Sequence, residues 1–235
     1  KDVRGSESAQ AIAKTLKEAN NGAIFIGAYA INHPESSQIK ALIRVLAGMC
    51  EVKIGAFTEG ANASGAWLAG AIPHRHPGHR PCEKSGQHAK ALLTSDPVKA
   101  YLLFGIEPEY DCAYSAEAIK NLSDAEWVVC MSPYITEAMA EYADVVLPIT
   151  PFSETQGTFV NNAGTWQSFA PASEPMGDSK PGWKVLRVLA HFLHLKGYHY
   201  QTIQQVRMEL EEELSEMPAY EAKAVELAHL SLNTD

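Results

Sequence analysis

The chain has 235 residues, 46% of them hydrophobic, enough for one large or two small domains with a sizeable core. Its 28 acidic against 19 basic residues give a net charge of −9, which argues against nucleic acid as the main partner. There is no apolar run of about 18 residues, so no direct membrane insertion is expected. The polar start Lys1-Asp2-Val3-Arg4 is no signal peptide. Position 1 is Lys rather than Met, and we expect a piece of a longer protein.

In chain order, helical spacing of Ile12, Leu16 and Ala19 predicts a helix over 6–19, stopped at Asn20-Asn21-Gly22. The run 23–30 (AIFIGAYA) reads as a short strand buried on both faces. A second helix starts at His33-Pro34-Glu35, with Ile39, Leu42, Ile43 and Leu46 on its apolar face and Gly48 near its end. Strands follow at 50–57, 101–105, 127–131 and 144–148, with helices at 116–122 and 135–142 between them. Continuous apolar strands alternating with helices predict a parallel sheet covered on both faces, an α/β/α arrangement. After Pro148 the pattern changes. Segments 157–161 and 165–169 flank Asn162-Ala163-Gly164 and predict a β-hairpin. A Pro/Ser/Gly-rich linker at 171–182 precedes amphipathic helices at 183–195 and 201–216, the latter with Ile203, Val206, Leu210 and Leu214 inward. Residues 217–235 carry weaker helical character. The expected division is a doubly wound α/β domain over 1–149, then a hairpin, linker and helical segment over 150–235.

Few constellations carry chemistry by spacing alone. Cys50, Cys82, Cys112 and Cys130 are never closer than 18 residues, so there is no C-x-x-C of the kind that marks iron–sulfur or structural zinc sites. All four are expected as reduced thiols. His74, His76, His79 and Cys82 lie within nine residues. Their spacing matches no common closed site, and Arg75 and Arg80 oppose a cation, so a structural loop is expected and no metal. Glu137 and Glu154 lack partners spaced to tune them, and Trp67, Trp166 and Trp183 read as packing residues. There is no nucleophile elbow, no H-E-x-x-H and no Walker A loop, and no catalytic residue is assigned.

The most informative stretch is Thr58 to Pro81, directly after the strand-like run Val52–Phe57. It opens Gly60-x-Asn62-x-x-Gly65, passes through small helix-like residues, and closes on Pro73, Pro77, Gly78 and Pro81. Strand, Gly-rich turn and helix is where α/β proteins seat phosphate-bearing cofactors. A dinucleotide fingerprint wants Gly at the second position, and here it is Asn62. Asn62 tolerates a left-handed backbone and equally can cap the next helix. On the residues alone, a tight turn with a helix cap is the favoured reading.

The order Gly60, Asn62, Gly65, Gly70, Pro73, Pro77, Gly78, Pro81, then Gly105-x-x-Pro108, Thr136-Glu137-Ala138, 143–148 (ADVVLP), Glu154, 157–159 (GTF) and Asn161 resembles the molybdopterin oxidoreductase superfamily. Active pterin enzymes commonly follow the Asn with an acidic residue and paired arginines before a Gln. Here 162–167 reads NAGTWQ and has no arginine. A dinucleotide pterin carries several negative charges, so that loss weakens its seat. The phrases PFSETQGTFVN, QSF and KPGWKVLRVLAHFL look more like the large iron–sulfur subunits (G chain) of NADH:quinone oxidoreductase, respiratory complex I. That resemblance covers most of 23–196 and implies their C-terminal, molybdopterin-oxidoreductase-like portion.

What the resemblance implies is a three-layer α/β/α parallel sheet followed by a β-hairpin and C-terminal helices, in a scaffold of the peripheral arm. This piece would carry no redox centre of its own, with iron–sulfur clusters in the missing N-terminal part. Gly60, Asn62 and Gly65 would be a vestigial cofactor loop. Other peripheral-arm subunits would be its partners, on the cytoplasmic side of the bacterial inner membrane. The competing readings are a piece of an active, formate dehydrogenase-like molybdopterin enzyme with a pterin loop at 60–65, and a plain binding module that docks through 150–200.

Overall fold

The computed structural model describes residues 5–95 and 98–216, and the weak helix expected at 217–235 lies outside them. The chain forms two compact units. One holds the residues up to Ser64 together with Asn162–Gly164; the other holds Gly65–Asn161 and the residues from 165 to 216.

In the first unit, α1 (Glu7–Glu18) starts where Ser6 Oγ accepts the Ala9 N–H at 3.2 Å. β1 (Ala23–Ile26) stops at Gly27, short of the expected Ala30, and the chain turns into α2 (Ala28–Ile31). The Gly27 carbonyl accepts the N–H groups of Ala30 and Ile31, each at 3.1 Å, so the alanine-rich run becomes helix instead of strand. α3 (Ser36–Cys50) contains Gly48 and ends at Glu51, whose φ of 53° forms a left-handed cap that donates to Ala47 O. β2 (Lys53–Ala56) lies parallel to β1, with Ala23 opposite Lys53 and Ile26 opposite Ala56. Ala47, Cys50 and Val52 form this unit's buried cluster, with Leu16 and Ile24 against it. The division between the units falls within α4 (Ala63–Leu68).

In the second unit, β3 (Ala100–Phe104), β4 (Trp127–Ser132) and β5 (Val145–Pro148) form a parallel sheet in that order, with Leu103 opposite Cys130 and Cys130 opposite Val146. The crossovers carry α5 (Pro108–Asp111), α6 (Ser115–Ser123) and α7 (Glu137–Tyr142). Ala118 and Leu122 of α6 and Met139 and Tyr142 of α7 pack with Tyr101, Leu103, Val128 and Cys130 into one core. Leu122, Val128 and Met139 are under 2% exposed, and each such burial is worth about 1.5–3 kcal/mol. Both crossovers advance in the same direction, and right-handed crossovers of that kind lie on one face. The opposite face is accordingly less covered than the sequence suggested: Leu102, Phe104 and Trp127 are 47%, 49% and 50% exposed. The Asp144 carboxylate accepts the Val128 N–H at 2.7 Å while the Asp144 N–H donates to Val128 O at 2.9 Å, which fixes the start of the β4–β5 pair. The overall class, α/β with parallel sheets, is the one expected.

The hairpin also forms where expected, from β6 (Gly157–Val160) and β7 (Trp166–Phe169), with Gly157 opposite Phe169 and Val160 opposite Trp166. α8 (Gly182–Phe192) follows the linker. α9 (Ile203–Ser215) opens with a capping box between Thr202 and Gln205. Arg207 ties α9 to the hairpin: it lies 5.3 Å over the Trp166 ring and donates to Ser168 Oγ at 2.6 Å. Among the described residues no helix is long and apolar enough to cross a membrane.

Candidate functional site

The loop that leaves β2 holds the three residues singled out in the sequence. Gly60 has φ 72° with open space where a Cβ would stand. Asn62 directly precedes α4 at φ 63°. Helix N-caps have extended backbone, so of its two readings the left-handed turn is the one adopted. Gly65 is buried inside α4. Thr58, Glu59 and Ser64 are engaged within the same unit. Asn162 Oδ1 accepts from Thr58 Oγ1 at 2.8 Å and from Ser64 Oγ at 3.1 Å. Asn32, just past α2, donates to the Glu59 carboxylate at 2.7 Å. The carboxyl ends of β1 and β2 thus meet through Asn32 and Glu59, the place where open parallel sheets hold ligands.

A pyrophosphate-bearing pterin needs cations or converging N–H donors. The side chains bonded across this loop include the Glu59 carboxylate and the Asn32 and Asn162 amides, and the Thr58 and Ser64 hydroxyls donate to Asn162. The six-residue α4 offers only a short dipole. None of these side chains brings a cation to a polyanionic cofactor.

The His-rich loop, in the second unit, is closed by its own backbone. His76 N donates to Arg80 O at 2.8 Å, Cys82 N to His74 O at 3.3 Å, and Arg75 bridges Pro81. Trp67 packs against His74 and His79, with ring centroids 5.8 and 6.1 Å apart. Gly70, at φ 72°, lies where a Cβ would stand 2.4 Å from the His76 carbonyl carbon. Arg80 pairs with Glu213 of α9 at 2.8 Å. Among the described residues no three His, Cys, Asp or Glu side chains converge on a metal position.

Sequence reasoning missed a second polar cluster. Glu109 on α5 accepts from Thr136 Oγ1 at 2.6 Å and from Tyr142 OH at 3.4 Å. Thr136 Oγ1 also accepts the Met139 N–H at 3.0 Å as the cap of α7. Burial, then the Glu109 charge, pushes the neighbouring Cys130 thiol up to about 11. The same two causes, burial first, raise the Tyr142 phenol well above its usual range. Both groups stay protonated and unreactive near neutral pH. The only signals in the sequence were the Gly105-x-x-Pro108 turn and a Thr before a helix.

The two carboxylate candidates Glu154 and Glu137 serve local structure. Glu154 accepts the Met176 N–H at 3.0 Å, holding the linker. Glu137 sits exposed in the first turn of α7, where a carboxylate suits the helix dipole.

A family model described as molybdopterin oxidoreductase matches residues 6–192, and the chain belongs to that family. A protein of Staphylococcus aureus (strain USA300) provisionally named a formate dehydrogenase is 43% identical over 68 residues, 29% of this chain and 7% of its own length. The mitochondrial 78 kDa subunit of NADH-ubiquinone oxidoreductase from Candida albicans is 38% identical over 73 residues, 31% of this chain and 10% of its own length. The chain therefore aligns with a small part of these relatives. A chain of the formyltransferase/hydrolase complex from Methylorubrum extorquens shares the fold, with a TM-score of 0.51 at 17% identity over 90% of this chain and 54% of that one.

Proposed function

We propose that the chain is the molybdopterin-oxidoreductase-like portion of the large iron–sulfur subunit of an NADH:quinone oxidoreductase. In this reading it serves as a scaffold of the peripheral arm on the cytoplasmic side of the inner membrane, while electrons pass through clusters elsewhere in the subunit. The observation that carries the reading is the double acceptance of Thr58 and Ser64 hydroxyls by Asn162. Glu59 beside them and the lack of an arginine in 161–167 support the reading of this loop as one inherited from pterin enzymes without its cofactor. The match to the complex I 78 kDa subunit supports it.

A second reading, a portion of an active formate dehydrogenase-like enzyme, is favoured by the 43% identity to the staphylococcal relative. Elemental analysis for molybdenum and fluorescence of acid-released pterin, on the full-length protein that contains this chain, separate the two. The scaffold reading expects background levels of both and co-migration with NADH dehydrogenase activity in native gels. Near-stoichiometric metal and pterin would overturn it.

A further inference from the structure

The end of α8 builds a groove that the proposed role does not use. α8 terminates in a left-handed turn at His194, φ 55°, with Leu195 N donating to Ala190 O at 2.9 Å and His194 N to His191 O at 3.0 Å. The chain then reverses and lays Tyr198 and His199 against the helix. The result is a cavity of about 270 Å³ lined by Arg187, Val188, His191, Phe192, Tyr198 and His199, with Gln201 at its edge. Arg187 and His191 stand one helical turn apart, as do Val188 and Phe192, so basic and apolar groups face the groove side by side.

Arg187 is held by donating Nη1 to Tyr200 O at 2.9 Å, and among the described residues it makes no ion pair. In a chain of net charge −9 this leaves one guanidinium and two imidazoles in a single groove with no acid among the lining residues. Its apolar lining reaches solvent: Val188 is 44%, Phe192 73% and Tyr198 45% exposed. A small anion would leave these apolar side chains in water, whereas a protein segment with apolar neighbours would cover them.

We propose that this groove docks a segment of another protein that presents an aspartate or glutamate between apolar side chains. The carboxylate meets Arg187, flanked by His191 and His199, and the apolar neighbours cover Val188, Phe192 and Tyr198. Charge complementarity selects the occupant: the guanidinium fork pairs a carboxylate in two parallel hydrogen bonds, and neither an amide nor an amine reproduces this. The proposal does not depend on membership of complex I.

The test uses the full chain and the peptides acetyl-Ser-Leu-Phe-X-Leu-Ser-amide with X as Glu, Gln or Lys, read by the imidazole proton signals of His191 and His199. The Glu peptide is expected to move both signals saturably and to bind at least about tenfold more tightly than the Gln and Lys peptides. Arg187→Gln is expected to remove that preference. If Arg187→Gln unfolds the segment, the double variant His191→Gln/His199→Gln serves instead, read by tryptophan fluorescence. Failure of all three peptides to bind, or equal binding by them, overturns the proposal. Three further results also overturn it: benzoate binding as tightly as the Glu peptide, which marks a small-anion site; self-association by sedimentation that Arg187→Gln abolishes, which marks a second copy; and peptide binding seen only after removal of 217–235, which marks the chain's own end as the occupant.

Discussion

Thr136 Oγ1 donates to the Glu109 carboxylate at 2.6 Å and at the same time accepts the Met139 N–H at 3.0 Å. One hydroxyl thus caps α7 and fastens it to α5, two elements that follow successive strands of the same sheet. The pair lies beside a core in which Met139 is fully buried.

Removing this hydroxyl takes away a cap and a charge-assisted bond together. Thr136→Ala is expected to cost about 1.5–3 kcal/mol, and Thr136→Ser well under half of that. Urea denaturation followed by circular dichroism measures both, and equal stability of the alanine variant and the parent would remove the role given to Thr136.

Cys130 and Tyr142 make the fold sensitive to alkali. Their folded-state pKa values lie above the unfolded ones, so the folded state keeps protons that the unfolded chain loses. For Cys130 the contribution is complete below about pH 9 and is lost as the pH rises through about 11. Tyr142, raised from 10, adds loss in the same direction at higher pH. Stability is expected to fall from pH 9 to 11, and Cys130→Ala is expected to flatten that fall while lowering stability at pH 7 through the cavity it leaves. A pH series of denaturation midpoints reads both effects.

Gly60 and Gly70 share φ 72° but not their surroundings. Gly60→Ala meets nothing within 4 Å and is expected to cost about 1–2 kcal/mol, the left-handed penalty alone. Gly70→Ala would also place a methyl 2.4 Å from the His76 backbone, and is expected to exceed that cost by at least about 1 kcal/mol. Comparing the two melting temperatures separates backbone strain from steric fit.

Asn162→Ala frees the hydroxyls of Thr58 and Ser64. All three residues reach solvent, so the expected loss is about 0.5–1.5 kcal/mol. Asn162→Asp keeps an acceptor in place and is expected to lose less. A thermal shift of both variants against the parent tests this, and a larger loss for the aspartate would contradict the hydrogen-bond account.

The Arg80–Glu213 pair is half-exposed and short, at 2.8 Å. Arg80→Ala is expected to cost under about 1 kcal/mol, and less in 1 M salt, because exposed ion pairs gain little and are screened. A loss above about 2 kcal/mol would mean that the pair anchors α9.

The alternation of strand and helix over 23–148, the hairpin at 157–169 and the helices at both ends were legible because period, capping residues and turn residues act over a few neighbours. The Gly60-Asn62-Gly65 turn was legible for the same reason, as a conformation if not as an occupied site. The tertiary structure alone decided which face of the β3–β4–β5 sheet is covered, because that follows from strand order and crossover hand. It also decided the Glu109 cluster and the engagement of Asn162. Thr136 and Tyr142 are 27 and 33 residues from Glu109, and Asn162 is 104 residues from Thr58. Hydrogen bonds at such separations leave no periodicity in the chain, and only the folded backbone brings their partners together.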